Sequence, residues 1–315
     1  MSGRAAPPFA RGAEDAQQGT TPGGVRLVPG WTRLPWRRRT LMLHHVAAVA
    51  EGAARDRGPT PLLLLHGMAS SWRQWRAQML RLGARTPLLA LDLPGFGQSG
   101  SPRSPLAADD YAEILEAWCR VRGLTTLSAV GHSFGGAVLA DWAGRWPERF
   151  RRIGLLAPAA VYHEWYTAGG GPIRWPVFGP LLLRPFVWFV STRWLGRRVF
   201  GHIAARLEDV RPDEIADLQW GCRRAREMLR ALDYYRFPAL DQRLRAIAAP
   251  AVVGWGTADR VVPFVDAAYY VTRIRRCELR TWEGCGHVPM MERRQECDRL
   301  LLDVATGSPV GVEAV

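Results

Sequence analysis

The stretch Leu127–Gly136, LSAVGHSFGG, decides how the rest of the chain reads. A short apolar run (Leu127, Ala129, Val130) enters a turn of Gly131, His132, Ser133, Phe134 and Gly135, and a helical pattern follows. This is G-x-S-x-G set between a strand and a helix, the context that gives the pentapeptide a mechanical meaning. A turn tight enough to lift a side chain off the top of a sheet forces Ser133 into a strained backbone conformation. A Cβ two residues before or after it would collide with neighbouring backbone, and Gly131 and Gly135 remove that collision. Gly136 adds a third small position where the helix lies close to the sheet. Alone, the pentapeptide fits a plain serine in a glycine-rich turn equally well. The flanking chain has to decide.

Upstream, Leu41–Ala50 and Pro61–Leu65 (PLLLL) read as the first strands, the second continuously apolar as in a strand covered on both faces. Then come His66-Gly67-Met68-Ala69-Ser70-Ser71, a helical pattern through Trp72, Trp75, Met79 and Leu82, and a strand at Leu88–Leu91. Asp92–Ser99 (DLPGFGQS) reads as a turn, and Tyr111–Val121 as an amphipathic helix. Downstream of the Ser133 helix, stopped by Pro147, lies one more buried strand, Ile153–Ala157. Strands alternating with helices of 10 to 15 residues specify an α/β fold with a mostly parallel central sheet and helices on both faces.

The alternation breaks from about Pro158 to Ala249, where tryptophans (Trp165, Trp175, Trp188, Trp194, Trp220) and apolar patches replace strands. An insertion of that size between strands reads as a helical lid. Prolines at 172, 176, 180 and 185 argue against one long membrane-surface helix, although the Arg/Trp mixture also fits weak association with a membrane surface. The alternation resumes with Ala251–Trp255, the loop GTADRVVP (256–263), a helix near Val265–Arg273, a strand Glu278–Trp282, the loop EGCGHVP (283–289) and a last helix. The expected organisation is therefore a disordered lead-in over 1–30, a core over 31–157 and 250–305, a lid over 158–249 and a loose tail over 306–315.

Composition narrows the partners. The formal charge is +13, but the chain holds neither Lys nor Asn, so all 42 basic residues are arginine and lie scattered along it. Such bias resembles a coding preference, and no basic stripe with interleaved aromatics supports nucleic-acid binding. Five cysteines (119, 222, 277, 285, 297), odd in number and without C-x-x-C, fit a reduced, cytoplasmic protein. Cys285 and His287 lack a second pair of ligand spacing, so no metal site is expected. Arg37–Arg39 before Leu41–Ala50 has the outline of a twin-arginine export signal, but two histidines interrupt the apolar run and favour a strand.

Five features in one order, LLLLHGM (62–68), DLPGFGQS (92–99), GHSFGG (131–136), GTADRVVP (256–263) and GCGHVPMME (284–292), resemble the α/β-hydrolase family, specifically its lid-bearing serine esterase and hydrolase branch. The resemblance spans roughly 40–305 and matches the chain order Ser…Asp…His used by that fold. It implies Ser133 as nucleophile, His287 as general base and acid, and Asp259 as the carboxylate orienting the imidazole, with Asp266 a weaker substitute. Backbone N–H groups of Met68 and Phe134 would form the oxyanion hole, Ala69 replacing Met68 if the loop shifts by one. Their side chains would then be free to line the acyl pocket, with Trp165, Trp188 and Val288 at the substrate. His66 and His132 are expected to be structural.

A serine at the elbow argues against the dehalogenases and epoxide hydrolases of this family, which place a carboxylate there. Acyl chemistry remains, and the aromatic lid suits a small hydrophobic acyl or aryl substrate, without a cofactor. Hydrolysis of carboxylic esters is the expected activity. Carbon–carbon bond hydrolysis of the meta-cleavage-product type is the nearest alternative; perhydrolase or haloperoxidase, acyltransferase and ligand-receptor roles also occur on this fold.

Overall fold

The computed structural model describes residues 24–37, 39–51, 60–101, 106–159, 203–225 and 239–307. Among these residues eight strands form one sheet: β1 (Val25–Trp36), β2 (Arg39–Ala50), β3 (Leu62–Leu65), β4 (Leu88–Leu91), β5 (Leu127–His132), β6 (Phe150–Leu156), β7 (Ala251–Gly256) and β8 (Cys277–Trp282). Their order is β1-β2-β4-β3-β5-β6-β7-β8. The β1/β2 and β2/β4 pairs are antiparallel, and every pair from β4 to β8 is parallel. Helices α1 (Arg76–Leu82), α2 (Ala108–Val121), α3 (Phe134–Arg145), α4 (Pro212–Arg223), α5 (Leu240–Ala246), α6 (Ala267–Val271), α7 (Pro289–Glu292) and α8 (Arg294–Thr306) surround it.

The four consecutive leucines of β3 are all buried because alternate side chains serve opposite faces. Leu62 and Leu64 join Leu88, Ala90, Val130 and Val252 beneath α1 and α8, which supply Met79, Leu82, Leu300, Leu301 and Val304. Leu63 and Leu65 join Leu89, Leu91, Ala129 and Val253 beneath α2 and α3, which supply Tyr111, Ile114, Trp118, Leu139 and Trp142. Burying each such leucine stabilises the fold by roughly 2 kcal/mol before entropy is charged against it. The two-sided core holds the C-terminal ends of β3, β5, β7 and β8 in line, and the motifs singled out in the sequence follow those ends.

Two findings differ from the sequence reading. Val25–Trp36 is a strand, so residues 25–30 belong to the sheet rather than to a lead-in, and the segment to Trp36 is an element that the pattern did not reveal. Pro29, Gly30 and Pro35 break the usual strand signature. They are tolerated because β1 is an edge strand, bonded among the described strands to β2 alone. At the other boundary, α5 lies inside the stretch expected to form the lid, yet Leu240 and Leu244 are buried in the α2/α3 core. A Cβ on Gly144 of α3 would come within 2.6 Å of the Arg243 Cα, so the two helices touch backbone to backbone. Among the described residues no helix is long and apolar enough to cross a membrane.

Candidate active site

Ser133 stands between β5 and α3 with φ 52° and ψ −119°, a conformation that costs a side-chain-bearing residue roughly 1–3 kcal/mol. Surrounding backbone enforces it. The Ser133 N–H donates to the Leu156 carbonyl at 2.8 Å, and the Ser133 carbonyl accepts from Ala137 at 3.0 Å and Ala159 at 3.1 Å. A Cβ at Gly131 would lie 2.8 Å from the Gly136 Cα, and one at Gly135 would lie 2.8 Å from the Leu65 carbonyl oxygen. The glycines flanking the serine are therefore required by close approach.

The loop after β7 carries Asp259 and the loop after β8 carries His287. Asp259 Oδ1 accepts from the Val261 and Val262 N–H groups at 2.8 and 2.9 Å, and Oδ2 lies 2.7 Å from His287 Nδ1. A carboxylate accepts, so Nδ1 carries the imidazole proton and Nε2 keeps its lone pair. The pair is buried: the Asp259 side chain is inaccessible and that of His287 is 6% exposed. His287 also reaches the elbow, because His132 Nε2 donates to the His287 carbonyl at 2.7 Å and the two rings sit 4.7 Å apart. The described contacts of His287 do not include Ser133 Oγ, a bond that often forms only when substrate is bound.

The loop after β3 passes directly over the elbow. A Cβ at Gly67 would fall 2.9 Å from His132 Nδ1 and 3.3 Å from the Ser133 Cβ. The Gly67 N–H donates to Gln74 Oε1 at 3.1 Å, while the Met68 N–H is bonded to nothing among the described residues. Phe134 opens α3, where the helix dipole adds positive potential. Its ring does not stand free for a pocket as expected from sequence: it is 1% exposed and packs edge-on against Tyr111 at 5.1 Å, with Phe96 at 6.1 Å. Met68 is half-buried, and Ala69 beside it has φ 55°. His66 is fully engaged: Nε2 accepts from the Leu93 N–H at 3.0 Å, so Nδ1 bears the proton and donates to the Gly67 carbonyl at 2.7 Å. Burial lowers its pKa. The pKa of His132 lies well below the ordinary histidine value, chiefly through burial and secondly through the charge of His287.

Three polar residues of this region carry more than their motifs indicated. Asp92, read as part of a turn, is a buried hub whose Oδ2 lies 2.8 Å from His44 Nδ1 and accepts from Gln98 N–H at 2.9 Å, while Oδ1 accepts from Trp72 N–H at 2.7 Å. Gln74 has no sequence signal, since a glutamine in a helical pattern looks solvated. Glu292 stood inside GCGHVPMME without a role; its carboxylate accepts from backbone N–H groups of that same loop, Gly286 and Val288, and from the sequence-distant Ala205. Val288, expected at the substrate, is buried in the α1/α8 core, and Trp165 and Trp188 lie outside the described residues. Cys285 is buried, with its thiol pKa pushed up by that burial. Among the described residues no cluster of three His, Cys, Asp or Glu side chains is placed to hold a metal ion.

Comparison with known proteins adds four findings. A family model described as "Alpha/beta hydrolase family" matches residues 62–300. The chain is 27% identical over 248 residues to an uncharacterized protein of Mycobacterium tuberculosis (strain ATCC 25618 / H37Rv), covering 74% of this chain and 71% of that protein. It is 26% identical over 251 residues to 2-hydroxymuconate semialdehyde hydrolase of Pseudomonas sp. (strain CF600), covering 74% and 82%. The crystal structure of a membrane phospholipase A, a bacterial virulence factor, superposes with a TM-score of 0.70 at 22% identity, over 95% of this chain and 90% of that one. That last likeness is one of fold.

Proposed function

This chain belongs to the alpha/beta hydrolase family and is a hydrolase, and on that premise we propose that it cleaves carboxylic esters or related acyl compounds of small hydrophobic substrates through a Ser133–His287–Asp259 triad. The observation that carries the reading is the His287 Nδ1–Asp259 Oδ2 pair at 2.7 Å, brought beside a serine held at positive φ. With Nδ1 protonated, Nε2 takes the Ser133 Oγ proton as Oγ bonds to the substrate carbonyl carbon. The carbonyl π pair moves to oxygen, where the Met68 and Phe134 N–H groups receive the charge. Collapse breaks the ester C–O bond, and the proton on Nε2 leaves with the alcohol. Water, deprotonated by the same Nε2, then frees the acid and restores Ser133.

The aromatic stretch between β6 and β7 serves in this reading as the lid over an apolar acyl site, with Trp165 and Trp188 at the substrate. A second reading is favoured by the similarity to 2-hydroxymuconate semialdehyde hydrolase: the same residues would hydrolyse a carbon–carbon bond. Weak association with a membrane surface is supported by the net charge of +13 and by the fold shared with a membrane phospholipase A. A cytoplasmic site is supported by five free cysteines.

The test joins two measurements. A fluorophosphonate should label wild-type protein at Ser133, and unmodified Ser133 in a folded sample sinks the serine-triad reading. A panel of aryl esters from acetate to decanoate, run beside a ring-cleavage-product assay, should give a maximum at medium acyl length. Turnover confined to the carbon–carbon substrate would select the second reading instead.

A further inference from the structure

Glu292 plays no part in the reaction just described, yet the residue is only 6% exposed, and its carboxylate is bonded to the loop that carries His287. Oε1 accepts from the Gly286 N–H at 3.1 Å and from the Val288 N–H at 3.3 Å. Oε2 accepts from the Gly286 N–H at 3.0 Å and from the Ala205 N–H at 2.8 Å. Between them, the His287 N–H donates to the Ile203 carbonyl at 2.8 Å. Three consecutive N–H groups, 286 to 288, thus end on one side chain and one carbonyl. Gly286 leaves no slack, since a Cβ there would come 2.8 Å from that same Ile203 oxygen.

Residues 203–205 reach this loop from the segment between β6 and β7, and the chain beyond them is anchored to the core. Arg294 Nη2 lies 2.6 Å from Glu214 Oε2 and donates to the Asp209 carbonyl at 2.7 Å. Further along α4, Asp217 pairs with Arg73 at 3.1 Å and with Arg76 at 3.4 Å, and the Arg73 guanidinium lies over the Trp220 ring at 4.4 Å. These arginines follow the loop that holds Met68, so one arm of chain touches both sides of the site.

We propose that Glu292 is a positioning residue for His287, acting together with residues 203–205, so that chain from outside the sheet forms half of the seat of the imidazole. The proposal rests on the hydrolase reading above. Asp259 fixes Nδ1, but where Nε2 lies depends equally on the main chain at 287. A shift of that peptide by a fraction of the Ser133–His287 separation removes the geometry that proton transfer needs. The buried carboxylate sets the peptide by satisfying N–H groups that water cannot reach.

The experiment compares wild type with Glu292→Gln and Glu292→Ala, using p-nitrophenyl butyrate turnover and the rate of fluorophosphonate labelling at Ser133. Glutamine keeps one accepting oxygen and alanine none, so the losses should be graded. The expected falls in kcat are about 10-fold for Gln and about 100-fold for Ala, with matching slower labelling. KM should stay within about twofold, because Glu292 does not touch substrate. If the alanine variant does not fold, the glutamine variant carries the test alone. A folded glutamine variant with wild-type kcat, or with its whole loss in KM, overturns the positioning role. Failure of wild type itself to be labelled removes the serine-triad reading instead, so the two failures are distinct.

Discussion

His132 Nε2 donates to the carbonyl oxygen of His287 across 2.7 Å, tying the residue before the elbow serine to the peptide of the proposed base. The interaction needs a proton on Nε2 only, and Nδ1 is buried without a partner among the described residues. A second proton on this ring would place a charge in the interior beside His287, which is why burial holds its pKa down.

Stability should therefore decline on mild acidification. Burial lowers the pKa of His45 from 6.5 to about 4 and lowers those of His66 and His132. The unfolded chain binds these protons near pH 6.5 and the native state does not, so the unfolded state holds more protons below that value. The contribution is complete above about pH 6.5 and is lost as pH falls toward the native values, on the order of 3 kcal/mol for His45. Urea unfolding between pH 7.5 and 4.5 measures it. A flat profile would falsify the account.

Ser133→Gly should make the protein more stable and inert. The serine sits at φ 52° and ψ −119°, where glycine has no Cβ penalty, so relief of about 1 kcal/mol is expected with turnover abolished. Thermal unfolding with an ester assay checks both halves. A variant less stable than wild type contradicts the strain argument.

Asp259→Asn should leave the fold nearly untouched and remove most activity. Asn keeps an oxygen for the Val261 and Val262 N–H groups, but its amide faces His287 Nδ1 and favours the proton on Nε2. The wrong tautomer is expected to cost kcat roughly 10⁴-fold. A loss of less than about tenfold would point to another carboxylate as the partner.

Asp92→Ala should act on stability. It strands the Trp72 and Gln98 N–H groups and His44 Nδ1 without an acceptor in the interior. Roughly 3 kcal/mol or more should be lost. Denaturant titration reads this directly, and a change under about 1 kcal/mol would mean that water enters to replace the carboxylate.

Sequence alone determined the alternation of strands and helices, the five motifs in order, and the glycines around Ser133. These are local: apolar period, turn chemistry and Cβ collisions act within a few residues, so they show in the linear text. It passed over Val25–Trp36, because its prolines are allowed only by an edge position that exists once the sheet has formed. It placed α5 in the insertion, because a helix packed on α3 and a helix in a cap share one periodicity. The juxtaposition of Asp259 with His287, and of Glu292 with residues 203–205, belongs to tertiary structure alone. Side chains and backbone separated by 28 and 87 positions meet only when parallel strands bring their C-terminal loops to one edge.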